Sequence, residues 1–290
     1  MTHADKVSQW LGPLCRRRGQ VDDVAVGTSD CNIIDLTPSR DFGVEIGAFQ
    51  TPVPGIRPYY VDRFKEYANA RCVGDYWGDA GALPFHSHSL DYVVTSHVLE
   101  HVANPVAALF EWTRVARHGG ILYMVLPDRR STFDHSRELT PPGHMMEDFR
   151  RGTTNADGTH VGEYLERMDW SRFLPGATPE ETAATRDRLR VTYTAAVEHH
   201  LELNFHFHVF EPSNLAALIG LMNRYPQRPG ELAIVDTVAR FPDDRPDGFL
   251  TVLRVRKPLP ARWAGWRFRR RAGGDAGAAL LPDARPLFET

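Results

Sequence analysis

Continuous apolar runs alternate with a helical pattern in the first half of the chain, and this alternation restricts the fold more than any other feature. The runs FGVEIGAF (42–49), LDYVVTS (90–96) and ILYMVLP (121–127) are typical of strands that are buried on both faces. The stretch 104–120 predicts a helix, with Asn104 as N-cap, a proline at the first helical position and a glycine pair at its end. Alternating strands and helices predict an α/β fold, a mostly parallel sheet with helices on both faces.

In the second half of the chain, the alternation of strand and helix patterns stops at residue 128 and resumes after residue 208. Residues 128–208 predict a largely helical insertion, with a short helix and a long one from about Pro179 to Leu203 that Thr178 caps. A helix over 212–224 follows. The last two runs, 231–241 and 248–257, are joined by a short turn, which predicts an antiparallel strand pair at the C-terminal end of the sheet.

These patterns divide the chain into three parts. Residues 1–40 are expected to form an N-terminal helical segment with a short helix over 4–18, residues 41–257 one domain, and residues 258–290 a loosely ordered tail. The apolar content of the insertion 128–208 looks too thin for an independent core. We therefore expect the insertion to pack on the sheet and to cover the site as a substrate lid.

Composition excludes several classes of protein. The chain has 290 residues, a formal net charge of -3 and 42% hydrophobic residues, so it is globular and a nucleic-acid partner is not expected. No apolar run is long enough for a membrane span. Three scattered cysteines, Cys15, Cys31 and Cys72, indicate free thiols and a cytoplasmic location. A homodimer stays an open alternative to a monomer.

Acids or histidines stand directly after several of the predicted strands. Because the carboxyl ends of parallel strands meet at one edge of a sheet, where ligands bind in such folds, we expect these side chains to lie near a site. They are Glu45, Asp62, Asp79, His97 and Asp128.

Five short motifs, in this order along the chain, resemble those of class I S-adenosylmethionine-dependent methyltransferases. The likeness covers roughly residues 43–127 and extends more loosely to 257. It is nearest to a bacterial branch associated with glycan and secondary-metabolite pathways. The motifs are EIGA (Glu45–Ala48), YVDR (Tyr60–Arg63), HVLEH (His97–His101), PDRRSTFD (Pro127–Asp134) and HFHV (His206–Val209).

The resemblance implies a Rossmann-like sheet of seven strands and S-adenosylmethionine as the cofactor. Asp62 would accept hydrogen bonds from the ribose hydroxyls, and Asp79 from the adenine amino group. The full set of implied cofactor-binding residues is Glu45, Gly47, Ala48, Phe49, Asp62, Asp79, Ala80, Ser96 and His97. One departure concerns the first turn, where Phe49 and Thr51 replace glycines of the wider family, so that the phenylalanine could crowd the cofactor or re-route the loop.

The segment SHVLEHVANP also spells H-x-x-E-H, the inverted zinc-protease pattern, through His97, Glu100 and His101. That pattern needs a regular helix through both histidines, whereas here a strand ends at Ser96 and a new helix starts at Asn104. We therefore predict no metal site, and we expect Glu100 and His101 to stabilise the turn. His97 is a candidate general base or substrate contact, with a satisfied structural histidine as the alternative.

A second group of polar residues lies in the insertion. His206 and His208 alternate on one face of an extended segment, and His208 is the other candidate base. A metal site that they form with His144 or His135 is a further alternative, although it lacks a recognisable ligand spacing. Planar arginine side chains suit an anionic or polyhydroxylated substrate, although an ion-pair network that anchors the insertion explains them equally well. The candidate substrate-binding residues are Asp128, Arg129, Arg130, His135, His144, His206 and His208.

The expected function is methyl transfer to a hydroxyl or amine of a small polar molecule, such as a sugar, a sugar nucleotide or a secondary metabolite. Two alternatives stay open. One is a non-methylating enzyme, a lyase, cyclase or coupling catalyst, on the same fold. The other is a non-catalytic binding protein that kept the fold.

Overall fold

A computed structural model describes residues 42–243 and 246–258 of the chain. The helix predicted over 4–18, the tail after 258, and the cysteines Cys15 and Cys31 lie outside these residues. Cys72 is a free, buried thiol.

Seven strands form one sheet. In chain order they are β1 (Gly43–Ile46), β2 (Tyr59–Asp62), β5 (Tyr76–Trp77), β6 (Leu90–Ser96), β7 (Ala116–Pro127), β8 (Glu231–Phe241) and β9 (Gly248–Arg256); a small separate hairpin is formed by β3 (Glu66–Tyr67) and β4 (Ala70–Arg71). Across the sheet the order is β5-β2-β1-β6-β7-β9-β8. The first five strands of that order are parallel to one another, and β9 pairs antiparallel with both β7 and β8. The predicted mostly parallel sheet with a C-terminal antiparallel pair is therefore confirmed.

Strand β7 shows why the central strands read as continuous apolar runs. Leu122, Met124 and Leu126 contribute to one hydrophobic cluster, whereas Tyr123 and Val125 contribute to another. Successive side chains of a strand point to opposite faces, so both faces of β7 are buried.

Six helices are described. They are α1 (Pro105–Val115), α2 (Pro142–Arg151), α3 (Val161–Arg167), α4 (Trp170–Phe173), α5 (Pro179–Glu198) and α6 (Pro212–Met222). Helices α1, α2 and α6 pack on the first cluster, while the second cluster joins strand residues to Val53 and Ile56 of the loop after β1. Helices on that second face stay a prediction. Within the described residues, no helix has the length and apolar character that crossing a bilayer requires.

Two predicted helix starts are confirmed in detail. The Asn104 side chain accepts the N–H of Ala107 at 3.0 Å. Thr178 and Glu181 form a reciprocal capping box, in which each side chain accepts the other residue's backbone N–H.

The predicted ends of these two helices are wrong. Helix α1 stops at Val115, because Ala116 adopts an extended conformation and pairs with Leu90 in the sheet. A Cβ on Gly120 would lie 3.1 Å from the carbonyl oxygen of Asp91, so this glycine permits close strand pairing and does not terminate a helix. Helix α5 ends at Glu198 and not near Leu203.

The insertion has more apolar packing than its sequence indicates. Its helices and the chain around Phe205 form a third hydrophobic cluster with several aromatic members. Aromatic residues far apart in the sequence pack together in this cluster, as Tyr164 and Phe205 do at 4.8 Å between ring centroids. The cluster also contains Ala103 from outside the insertion, and the expectation that the insertion has no independent core stays a prediction.

Candidate active site

A cavity of about 510 Å³ opens at the carboxyl ends of β1, β2, β5 and β6. Its volume falls within the range of small-molecule and cofactor sites. All nine residues predicted to bind the cofactor line its wall: Glu45, Gly47, Ala48, Phe49, Asp62, Asp79, Ala80, Ser96 and His97. The structure thus brings these residues together, and their roles in binding remain predictions.

The turn after β1 forms the floor of the cavity. Gly47 has a positive φ of 70°, and a Cβ placed on it would lie 2.6 Å from Cγ2 of Val98, so only glycine fits. Phe49 has a φ of 50°, in the left-handed region that glycine favours. Its ring packs edge-on against Tyr67, with centroids 6.0 Å apart. The phenylalanine that replaces the family's second glycine therefore lies on the cavity wall as part of an aromatic contact.

Asp62, at the end of β2, is a buried carboxylate beside this turn. Its Oδ1 accepts the N–H of Phe64 at 2.8 Å. Burial raises the pKa of Asp62, while the backbone N–H groups of Phe64, Arg63 and Phe49 and the thiol of Cys72 act in the opposite direction. A buried acid in such a position gains from further hydrogen-bond donors on a ligand.

Asp79 follows β5, the strand next to β2 in the sheet. Its Oδ1 accepts the N–H of Gly81 at 2.7 Å, which fixes the loop that carries the side chain. The carbonyl of Ala80 accepts the indole N–H of Trp112 at 2.8 Å, and Trp112 is fully buried in α1. The core helix thus holds this edge of the cavity in place.

Glu45 is the most strongly perturbed acid of the cavity. Both of its carboxylate oxygens accept the N–H of Val53, at 3.0 and 3.2 Å. Burial raises the pKa of Glu45 to about 7, although the Val53 hydrogen bond opposes this shift. The group is therefore poised between charged and neutral near neutral pH.

His97 lies directly after β6 and faces the same cavity. Its backbone has a φ of 53°, and its N–H donates to the carbonyl of Val125 at 3.0 Å. Its Nδ1 lies 3.4 Å from Oε1 of Glu100, whose side chain is fully buried. Burial acts to raise the pKa of Glu100, but the imidazoles of His97, His101 and His206 outweigh burial and hold this pKa below its usual range.

The H-x-x-E-H segment forms a single 3-10 turn over Leu99–His101 and not a regular helix. The His101 ring lines the cavity and packs edge-on against His206, with centroids 4.7 Å apart. Behind it, Nδ1 of His206 lies 2.6 Å from Oδ2 of Asp134. Ligand atoms of Glu100, His101 and His206 come within 4.8 Å of one another, a proximity that sequence spacing did not indicate.

None of the seven predicted substrate-binding residues lines this cavity. Arg130 pairs with Asp128 through two hydrogen bonds of 2.9 and 2.6 Å, and Arg129 pairs with Glu211 at 2.8 Å. His135 is exposed. Arg129 and Arg130 thus form ion pairs within the protein, whereas substrate binding by the seven residues stays a prediction.

His208 is also remote from the cavity wall. It is fully buried, and its Nε2 lies 3.1 Å from Oδ2 of Asp148, with His144 nearby. Of the two candidate bases, only His97 therefore faces the cavity.

Several lining residues were not assigned to the site from the sequence. Asn204, near the end of the insertion, lines the wall. Arg63 lines the cavity and donates from Nε to Oε2 of Glu202 at 2.7 Å, which ties the insertion to the loop after β2. Tyr67 comes from the small hairpin. These contacts join positions up to 139 residues apart, so no local pattern could predict them.

The residues that line the cavity fit S-adenosylmethionine as a ligand. Asp62 and Asp79 offer carboxylates for hydroxyl and amino donors, Gly47 leaves space for a close backbone approach, and Phe49 and Tyr67 offer apolar surface. The wall carries the acids Glu45, Asp62 and Asp79 and the cation Arg63, which is paired with Glu202. S-adenosylmethionine matches this balance, because its sulfonium and ammonium groups outweigh its carboxylate and leave it positively charged.

Comparison with known proteins gives one family match and one short relative. Residues 55–124 match the family model described as a methyltransferase domain. An uncharacterized 37.1 kDa protein of transposon TN4556 from Streptomyces fradiae is 49% identical over 51 residues, which is 18% of this chain and 15% of that protein. The chain thus matches only a small part of the length of this relative.

Solved structures with similar folds include two described as S-adenosylmethionine-dependent methyltransferases. The protein from Methanosarcina mazei is 15% identical, with 78% of this chain and 98% of that chain covered and a TM-score of 0.40. The protein from Mesorhizobium loti is 13% identical, with 79% and 100% covered and a TM-score of 0.40.

The raised pKa of Glu45 predicts a pH-dependent stability in the absence of ligand. The fold favours the neutral carboxyl, so this stabilisation is present below pH 4.5 and is lost as the pH rises through about 7. Glu45→Gln cannot ionise, and its free energy of unfolding relative to wild type should rise by about 3 kcal/mol between pH 4 and pH 8. Urea denaturation at each pH measures this, with Glu138→Gln, an exposed position, as control. A difference that stays constant with pH would show that the pKa of Glu45 in the folded protein equals that in the unfolded chain.

Proposed function

We propose that this chain, which carries a class I S-adenosylmethionine-dependent methyltransferase domain, transfers a methyl group to a hydroxyl or amine of a small polar molecule. The observation that carries the proposal is the convergence of nine residues from four strand ends on one cavity. When bound, S-adenosylmethionine supplies an electrophilic methyl group on a sulfonium.

Three acids would hold the cofactor. Asp62 would accept from the ribose hydroxyls, since one of its oxygens already takes the Phe64 N–H and fixes the carboxylate in place. Asp79 would accept from the adenine amino group. Glu45 would become charged beside a cationic ligand, because a nearby positive charge lowers the pKa that burial raises.

His97 would act as the general base. Its Nδ1 faces the buried carboxylate of Glu100, an arrangement in which Nδ1 carries the proton and Nε2 offers its lone pair. The ring lies on the cavity wall at the end of β6. It would accept the proton that the acceptor hydroxyl or amine releases as its oxygen or nitrogen bonds to the methyl carbon and the sulfur–methyl bond breaks, with neutral S-adenosylhomocysteine as the leaving group. The fixed positions of both reactants supply the rest of the rate enhancement.

The acceptor is proposed to be small because the cavity of about 510 Å³ must hold most of the cofactor as well. Aromatic rings of Phe64 and Tyr67 stack at 5.7 Å beside Arg63, a surface suited to a sugar or another ring-bearing polar molecule. The likeness to a branch associated with glycan and secondary-metabolite pathways supports the same class.

We assign residues 128–208 as the substrate lid. Asn204 contributes to the cavity wall, and Glu202 pairs with Arg63, another residue of that wall. Asn155 also bonds to the turn that carries His101, with its Oδ1 accepting the Ala103 N–H at 3.0 Å and its Nδ2 donating to the His101 carbonyl at 2.7 Å. Movement of the insertion would therefore alter the wall of the cavity directly.

The cofactor assignment predicts a specific loss of affinity. Asp62→Ala should weaken binding of S-adenosylhomocysteine by about ten- to a hundredfold, because charge-assisted hydrogen bonds to ribose contribute about 1.5–3 kcal/mol. Asp62→Asn keeps one acceptor and should lose less. Titration calorimetry on the purified protein measures all three affinities. An absence of heat with both S-adenosylmethionine and S-adenosylhomocysteine would remove methyl transfer, and equal binding by wild type and Asp62→Ala would remove the role of Asp62.

The lid assignment predicts a kinetic effect. Glu202→Gln removes the ion pair with Arg63, and because that pair is partly exposed, release of S-adenosylhomocysteine should accelerate by roughly two- to fivefold. Stopped-flow displacement measures the release rate. Glu198→Gln, an exposed change at the end of α5, is the matched control and should leave the rate unchanged. Identical release from both variants and wild type would mean that the insertion does not close the cavity.

A further inference from the structure

Four metal-ligand side chains converge away from the cofactor cavity. Nε2 of His144 lies 3.0 Å from Nε2 of His160 and 3.3 Å from Oδ2 of Asp148. Nε2 of His208 lies 3.1 Å, and Nε2 of His160 lies 3.6 Å, from the same carboxylate oxygen. All four atoms lie within 4.8 Å of one another.

These four distances match edges of a small tetrahedron, and the two remaining edges, from His208 to His144 and to His160, are within 4.8 Å. Zinc binds histidine nitrogen and carboxylate oxygen at about 2.0–2.2 Å, which places neighbouring ligands of a tetrahedral ion about 3.3–3.6 Å apart. The measured separations of 3.0–3.6 Å leave room for one ion at the centre of the group. We propose that His144, Asp148, His160 and His208 bind one divalent transition-metal ion, zinc by preference.

The chemistry around the ligands favours coordination. The second oxygen of Asp148, Oδ1, accepts the hydroxyl of Thr153 at 3.0 Å, so Oδ2 alone faces the three imidazoles. Nδ1 of His160 lies 2.9 Å from the hydroxyl of Thr159, which can accept a hydrogen bond from the Nδ1–H and so leave the Nε2 lone pair for a metal. Three imidazole nitrogens and one carboxylate are a ligand set that zinc accepts readily.

The ligands come from three separate segments. His144 and Asp148 lie one turn apart on α2, His160 ends the 3-10 turn Gly158–His160, and His208 lies in the extended chain before α6. Helix α2 packs Met145 and Met146 into the main core. An ion here would link α2 to the 3-10 turn Gly158–His160 and to His208 at the end of the insertion.

The position of His208 indicates a structural role. Phe207 belongs to the cluster of the insertion, and Phe210 to the main core, so the ion would lie where the two clusters meet. Four protein ligands leave no open position for a substrate or water. The ion would stabilise the attachment of the insertion and is independent of the proposed methyl transfer. This inference departs from the expectation that the chain has no metal site.

Metal analysis of untagged protein purified without chelator tests the proposal. We expect one zinc per chain, lost in Asp148→Asn and His208→Gln and retained in His199→Gln, a change of an exposed histidine. His144→Gln is the variant least prone to unfold, since the side chain is half exposed, and it should weaken zinc affinity at least about tenfold. Removal of the ion should lower the melting temperature, and added zinc should restore it.

Cobalt titration of the metal-free protein distinguishes this site from the second group of ligands. Stoichiometric Co²⁺ should give the visible absorption of a tetrahedral complex in wild type and in His101→Gln, but not in His144→Gln. Signal loss in His101→Gln alone would place the metal at Glu100, His101 and His206 and overturn the assignment. If neither zinc nor cobalt bound to the folded wild type, the four side chains would be a hydrogen-bond network only.

Discussion

Parallel pairing of β1 with β2 and β6 is the constraint on which the rest of this structure depends. The register aligns Ile46 with Val61 and Thr95, so the residues that follow these strands emerge at one edge. Because the central strands are buried on both faces, a slip of one residue would exchange their two hydrophobic clusters. The positions of Gly47, Asp62 and His97 are therefore fixed by the packing of the core, and not by interactions among themselves.

That edge of the sheet holds an excess of buried acid. Glu45, Asp62 and Glu100 have almost no exposed surface, and burial acts to raise the pKa of each. Burying carboxylates is unfavourable unless they are paired. Of these three acids, Glu45 and Asp62 line the cavity and accept hydrogen bonds from backbone N–H groups. Glu100 lies behind the cavity wall and faces imidazole rings. A cationic ligand with hydroxyl donors would reduce the free-energy cost of burying these carboxylates. The buried acids of the free protein therefore favour the binding of a ligand with the chemistry proposed for the cofactor.

Much of this arrangement could be predicted from sequence, because it depends on local patterns. The apolar runs, the caps at Asn104 and Thr178, and the acids after strands are short-range signals, and motif resemblance placed all nine cavity residues together. Helix ends were less predictable. Ala116 leaves α1 because it pairs with Leu90, a contact between distant parts of the chain.

The insertion was least predictable, since several contacts that position it are long-range. Arg63 meets Glu202, and His208 meets Asp148, across 139 and 60 positions of the chain. His144 and His208 were interpreted as substrate contacts, and a metal site that joins them lacked a recognisable ligand spacing. Asp148 and His160, which complete the group, were not singled out in the sequence. Likewise, His97 and His208 looked equivalent as bases until the fold placed one on the cavity wall and the other in a packed core.

The most direct test of the account is transfer of a labelled methyl group from S-adenosylmethionine to a panel of sugars, sugar nucleotides and small amines. We predict a labelled product with at least one acceptor. We also predict a fall of about a hundredfold or more in His97→Gln, the lower range for loss of a general base, with affinity for S-adenosylhomocysteine changed less than about threefold. His199→Gln should behave as wild type. Equal product formation by wild type and His97→Gln would contradict the role of His97, and an absence of transfer to every acceptor by a protein that binds the cofactor would contradict methyl transfer to a small polar molecule.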